Sequence, residues 1–130
     1  MVIDPLHFIV VDDDPVNNMI CKKVIAHAIP QADIKTFTEP ENGLAYLKTT
    51  FAESSANKSV LFLDINMPSM TGWEFLEQFE LARMQNKERL SIYILSSSVN
   101  TADKEKAKAN HNITGYLVKP LSVDIMRSLA

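Results

Sequence analysis

The chain has 130 residues and a net charge of −3, with 46% hydrophobic and 22% charged side chains; this is the make-up of one globular domain with room for a single core. That balance gives no electrostatic case for binding DNA, RNA or an anionic membrane surface, and no apolar run approaches the roughly 18 residues of a membrane span. No basic segment followed by a long apolar one opens the chain, so no secretory signal is read, and the lone Cys21 cannot form an internal disulfide, which fits a reducing cytoplasm.

"HFIVVD" (7–12) is a continuous apolar run of strand length, as expected for a strand buried on both faces. Asp14 suits an N-cap and Pro15 the first turn of a helix. Along that helix Val16, Ile20, Val24 and Ala28 keep one face apolar until Pro30 ends it, and Cys21 reads as a small hydrophobe. "DIKTFT" (33–38) alternates as a strand, "EPENGLAYLKTTF" (39–51) is a second helix, and polar "ESSANKS" (53–59) is a loop. "VLFLD" (60–64) is a fully apolar strand, "NMPSMTG" (66–72) has loop chemistry, and "WEFLEQFELARMQN" (73–86) is a strongly amphipathic helix. "LSIYIL" (90–95) is the fourth strand, followed by "SSSVN"; "TADKEKAKAN" (101–110) is a helix with a mostly charged face. "GYLVK" (115–119) is a fifth strand and "LSVDIMRSLA" (121–130) begins a last helix. Five strands alternating with helices argue an α/β fold, a parallel sheet with helices on both faces. No repeat, low-complexity stretch or linker marks a second domain, so 1–130 reads as one.

In open parallel sheets of this kind, sites form beyond the carboxyl ends of the strands. The first strand runs into Asp12, Asp13 and Asp14, the third ends in Asp64, the fourth in Ser96, Ser97 and Ser98, and the fifth in Lys119 followed by Pro120. Adjacent carboxylates repel by on the order of 4 kcal/mol per pair at about 4 Å near a protein surface. A divalent ion offsets that repulsion, and carboxylate oxygens alone form a hard site suited to Mg²⁺. A hydroxyl and an ammonium beside it could hold the remaining oxygens of a phosphoryl group. His7, His27 and His111 are scattered and read as structural or solvated. Each piece alone has a plain explanation: a cap, a turn, a solvated lysine. Their joint placement at four strand ends of one sheet is what points to a site.

The motifs "FIVVDDDP", "VLFLDINMPSMTGWEFL", "IYILSSS" and "GYLVKPL", in this order and spread over nearly the whole chain, resemble the receiver domain of two-component response regulators. The resemblance implies a doubly wound, flavodoxin-like (βα)5 receiver fold of five parallel strands. It implies Asp64 as phospho-acceptor, Asp12 and Asp13 as the acidic pair that holds Mg²⁺ with Asp64, and the Asn66 backbone carbonyl as a further ligand. Lys119 would pair with the phosphoryl group, and Lys119–Pro120 would be a cis peptide. Ser96 would be the hydroxyl that swings onto the phosphoryl and Tyr116 the aromatic that turns inward in the active state. Three serines follow Leu95, however: Ser96 directly follows the apolar run, whereas Ser97 has a spacing to Lys119 nearer the family norm. The implied partners are a sensor histidine kinase or phosphotransfer protein upstream and a protein partner downstream at the 101–125 face. The implied activity is that of a switch catalysing only its own phosphorylation and dephosphorylation. The stretch from about 49 to 59 is longer than the family's usual, and the last helix is shorter, as expected if the native chain continues past Ala130.

"VVDDDPV" also fits the opening of haloacid-dehalogenase-type phosphatases, with Asp12 as nucleophile and Asp14 as acid. That reading lacks a second acidic pair after a late strand and a cap domain, and it leaves Asp64 and "NMP" unexplained. A partner-binding scaffold without phosphoryl chemistry is opposed by the complete set of acids, serine and lysine.

Overall fold

The computed structural model describes residues 7–51, 58–82 and 86–129. Most of the expected loop at 53–59, and with it the lengthened 49–59 stretch, lies outside them. Five strands, β1 (His7–Val11), β2 (Asp33–Phe37), β3 (Ser59–Leu63), β4 (Leu90–Ser96) and β5 (Ile113–Val118), form one sheet in the order β2-β1-β3-β4-β5, every neighbouring pair parallel. The helices α1 (Pro15–Ala28), α2 (Pro40–Thr50), α3 (Gly72–Leu81), α4 (Thr101–Ala109) and α5 (Val123–Leu129) connect them. This is the doubly wound, flavodoxin-like fold expected.

Alternate residues of each central strand feed two cores. Ile9, Val11, Leu61, Leu63, Ile92 and Ile94 pack against α2, α3 and α4, through Leu47, Phe75, Phe79 and Ala107. Phe8, Val10, Val60, Phe62 and Leu95 face α1 and α5, through Cys21, Ile25 and Met126. Burial on both faces explains why β1 and β3 read as unbroken apolar runs. The chain leaves β1 toward β2 on one side and returns to β3 on the other, so a crevice opens between the carboxyl ends of β1 and β3. Val11 lies opposite Leu63 in the register, which sets Asp12 and Asp64 side by side at that crevice.

Three expectations are corrected. The inward face of α1 is Asn17, Asn18, Cys21 and Ile25, while Val16 is 56% and Ile20 39% exposed. The start of α1 packs on the polar ends of β1 and β2, where hydrogen-bonding amides are better buried than methyl groups, so the expected apolar stripe fails there, whereas Val24 and Ala28 farther along it pack against the core as expected. Helix α3 ends at Leu81 rather than 86: Asn86 has a left-handed backbone (φ 63°) and leads a 3₁₀ turn, Lys87–Arg89. Helix α5 starts at Val123, with the Ser122 hydroxyl accepting from Ile125 N–H at 3.1 Å, not at 121.

The loop from Asp64 to α3 is pinned at both ends. Thr71 and Glu74 form a reciprocal capping box, and Gly72 N–H donates to the Ile65 carbonyl at 2.8 Å. A Cβ on Gly72 would stand 2.6 Å from the Asp64 carbonyl oxygen and 3.0 Å from the Ile65 Cα. Backbone cannot swing aside as a side chain can, so Gly72→Ala must displace the Asp64 segment. It is expected to cost about 1–3 kcal/mol, as overpacking does; a denaturant melt matching wild type would show that the segment yields freely.

Candidate functional site

The carboxyl ends of β1, β3 and β5 converge on one lysine. Lys119 Nζ lies 2.7 Å from Asp12 Oδ2 and 3.5 Å from Asp64 Oδ1. Asp12, 2% exposed, is held on all sides: Oδ1 accepts from Asp14 N–H at 2.9 Å and Oδ2 from Asn17 Nδ2 at 2.8 Å. Asn18 Nδ2 donates to the Asp12 carbonyl at 3.0 Å and the Phe37 carbonyl at 3.3 Å, closing the gap between the ends of β1 and β2. Asp64 is buried and Asp13 half-buried, and one carboxylate oxygen from each of Asp12, Asp13 and Asp64 lies within 4.8 Å of the others.

Three carboxylates thus face a single ammonium. Burial first, then the charges of Asp12 and Asp13, push the Asp64 carboxyl up to about 6 despite Lys119. For Lys119, burial works against the charge, but the hydrogen bond to Asp12 and the charges of Asp64 and Asp12 outweigh it and raise its pKa. Burial, followed by the Asp12 charge, pushes the Cys21 thiol up to about 12. Cys21 is therefore a neutral core residue, its Sγ 3.6 Å from Asn17 Nδ2, as expected from the sequence. The donor set fits Mg²⁺ in kind: hard oxygens, crowded together, with more negative charge than Lys119 offsets.

The fourth strand end forms the other wall. Ser96 is fully buried at the end of β4, and its carbonyl accepts from Lys119 N–H at 2.9 Å. Its hydroxyl accepts from Ser98 N–H at 3.1 Å, whereas Ser97 is exposed. Tyr116, on the edge strand β5, is half-buried against the α2–α3–α4 core, and its hydroxyl donates to the Ser98 carbonyl at 2.8 Å. Asn66 sits exposed two residues beyond Asp64, and the Lys119–Pro120 peptide is cis as expected.

Sequence reasoning missed Asn17, Asn18 and Ser98. The two asparagines gave a signal, a pair of amides one helical turn beyond a triple acid, but apolar periodicity hid it. Ser98 carried none beyond its place in the serine run. Asp14 is exposed, and its Oδ1 accepts from Val16 N–H at 2.9 Å, so it caps α1 instead of reaching into the crevice. With Asp14 turned to the helix cap, the phosphatase alternative lacks its acid and is not favoured.

The response regulator receiver domain family matches residues 8–130. Among solved structures, a two-component response regulator from Cytophaga hutchinsonii is 26% identical, with a TM-score of 0.84 and coverage of 95% of this chain and 92% of that one. A response regulator receiver protein from Dyadobacter fermentans is 27% identical, with a TM-score of 0.83 and 95% and 93% coverage. The Vibrio cholerae chemotaxis protein CheY4, at 22% identity, TM-score 0.73 and 95% and 93% coverage, shares the fold.

A raised carboxyl pKa makes stability depend on pH in a definite direction. Below about pH 6 the folded chain takes up a proton on Asp64 that the unfolded chain, at its ordinary 3.8, does not. Stability therefore rises as pH falls through this window, and above it the charge is a liability. In metal-free buffer at pH 7.5, Asp64→Asn is expected to be more stable than wild type by about 1–3 kcal/mol. The gap should close toward pH 4, and thermal melts at both values check it. A gap that is absent at pH 7.5, or that widens on acidification, contradicts the charge-crowding reading.

Proposed function

Since the chain belongs to the response regulator receiver domain family, a family of two-component signalling switches, we propose that Asp64 accepts a phosphoryl group from a phosphohistidine of a sensor histidine kinase or phosphotransfer protein. The observation that carries this reading is the Asp12–Asp13–Asp64 cluster clamped by Lys119 at the sheet's switch point. An Asp64 carboxylate oxygen attacks phosphorus, the bond from phosphorus to the imidazole nitrogen breaks, and that electron pair returns to the ring. The product is an acyl phosphate. Such transfer depends on positioning and charge neutralisation more than on covalent chemistry. The Lys119 ammonium stands 3.5 Å from Asp64 Oδ1, placed to meet the incoming phosphoryl oxygens, and Asp12 fixes it there.

Receiver domains bind Mg²⁺ at an acidic pocket. In this chain Asp12, Asp13, Asp64 and the Asn66 carbonyl would hold it, Asp13 most directly because it is the least occupied by protein donors. Bound there, the ion supplies charge neutralisation for the carboxylates and the phosphoryl oxygens. Ser96 is the switch hydroxyl in this reading, favoured over Ser97 by burial and by its link to Lys119. Tyr116 is the aromatic that follows it.

The phosphodonor's approach is served by the outer face of the first turns of α1. Val16, Met19 and Ile20 are exposed apolar side chains on the helix that begins directly after the acids, the kind of patch that marks a protein contact. The downstream partner is assigned to α4, β5 and α5, residues 101–125. Residues 1–130 act as a single receiver domain in the cytoplasm; no described helix is long and apolar enough to cross a membrane.

Incubation with acetyl phosphate and Mg²⁺ should add one phosphoryl group, mapped by mass spectrometry to Asp64 and abolished in Asp64→Asn. Phosphate on Asp12 would overturn the assignment. Trp73, the only tryptophan, opens α3 just after the site loop and should report Mg²⁺ binding by fluorescence. Asp13→Ala is expected to weaken that binding at least about tenfold, and titration curves that superimpose on wild type would remove Asp13 from the ligand set.

A further inference from the structure

Ser98 is a junction of three elements. Its N–H donates to the Ser96 hydroxyl (3.1 Å), its carbonyl accepts from the Tyr116 hydroxyl (2.8 Å), and its own hydroxyl donates to Asp103 Oδ2 (2.9 Å) on the first turn of α4. The same hydroxyl oxygen accepts from Asn100 N–H at 3.2 Å, and the Asn100 side chain caps α4 by accepting from Ala102 N–H at 2.7 Å. Every polar group of Ser98 is therefore committed, to partners on β4, on β5 and at the start of α4.

Helix α4 has little apolar contact to secure it. Its one buried residue is Ala107, and a methyl group contributes little to fixing a helix. Lysines and acids make up most of the rest. A helix so lightly packed belongs to the low-stability end of a fold, and the polar hold at its first turn decides where it lies.

We propose that the Ser98–Asp103 hydrogen bond is a positioning latch that couples α4 to the switch hydroxyl of Ser96. The inference rests on the phospho-accepting reading and deepens it. When Ser96 turns its hydroxyl toward a phosphoryl oxygen, the acceptor of Ser98 N–H moves. Ser98 follows, and its hydroxyl draws the Asp103 carboxylate and the first turn of α4 along. Without the latch the pocket still engages the phosphoryl group, but the helix does not follow. The coupling lies in the acceptor oxygen of residue 103, not in its charge at the helix N-terminus. Asn at 103 keeps the acceptor and loses the charge; Ala loses both.

The test uses the whole chain, with amide chemical shifts recorded before and after beryllofluoride, a phosphoryl mimic, in the presence of Mg²⁺. In wild type and Asp103→Asn, amides near Asp13, Asp64 and Ser96 and those of residues 101–109 should all shift. In Asp103→Ala and in Ser98→Ala, the pocket amides should shift as in wild type while residues 101–109 lose most of their response. Lys106 Nζ on α4 stands 4.9 Å from the Trp73 ring centroid, so the Trp73 resonance gives a second reading of the same motion. Residues 101–109 responding in both latch variants as in wild type would overturn the proposal. So would loss of the response in Asp103→Asn, which would place the effect in the charge. Pocket amides that ignore the mimic in wild type would instead overturn the phospho-accepting reading, and the latch with it.

Discussion

One electrostatic constraint organises this molecule: three carboxylates at the sheet's switch point share a single ammonium. The 2.7 Å contact between Lys119 and Asp12 takes up most of what that ammonium can offer, and Asp64 receives the remainder at 3.5 Å. The result is a buried carboxyl raised to about 6, an acid that gains from any added positive charge. In an otherwise tightly packed domain, such an arrangement is a standing demand for a cation. Perturbed carboxyls of this kind mark functional sites because a purely structural pocket would relieve them.

Much of the surrounding architecture serves that cluster. Asn17 and Asn18 are turned into the protein at the expense of Val16 and Ile20, because the Asp12 carboxylate and the strand-end carbonyls need donors more than the sheet edge needs methyl groups. The side chain at 72 is reduced to a hydrogen because α3 must start against the Asp64 carbonyl. Cys21 is kept neutral beneath Asp12. On the far wall, Ser96 and Lys119 are joined through the backbone across β4 and β5, so a ligand gripping both side chains acts on one connected frame. The coupling to α4 and Tyr116 then passes through Ser98, where side-chain and main-chain bonds meet.

The strands and the strand-end cluster were legible in the sequence for a simple reason. β1 and β3 are buried on both faces and so are unbroken apolar runs, and residues immediately beyond such runs must lie at the sheet edge. Asp12 and Asp64 could be placed by that rule alone, and Ser96 and Lys119 by their position at the ends of the fourth and fifth strands. Asn17 and Asn18 could not, since amides on a helix look like a solvent face until a buried carboxylate is known to stand opposite. The end of α3 was misplaced because "ARMQN" retains helix-favouring residues, and the left-handed Asn86 that leads the following 3₁₀ turn carries no strong local signal. The role of Ser98 depends on four long- and short-range bonds that no periodicity encodes. Helix α4 was read as a helix with a mostly charged face, but its light packing emerges only when one sees that Ala107 is its single buried residue.

The central claim, that Asp64 is an over-crowded carboxyl awaiting charge compensation, is tested most directly by ¹³C titration of its side-chain carboxyl with and without Mg²⁺. The account predicts a midpoint near the raised value of about 6 in metal-free buffer and a clear downward displacement when Mg²⁺ is added. A midpoint at the ordinary aspartate value of 3.8, indifferent to the metal, would contradict it.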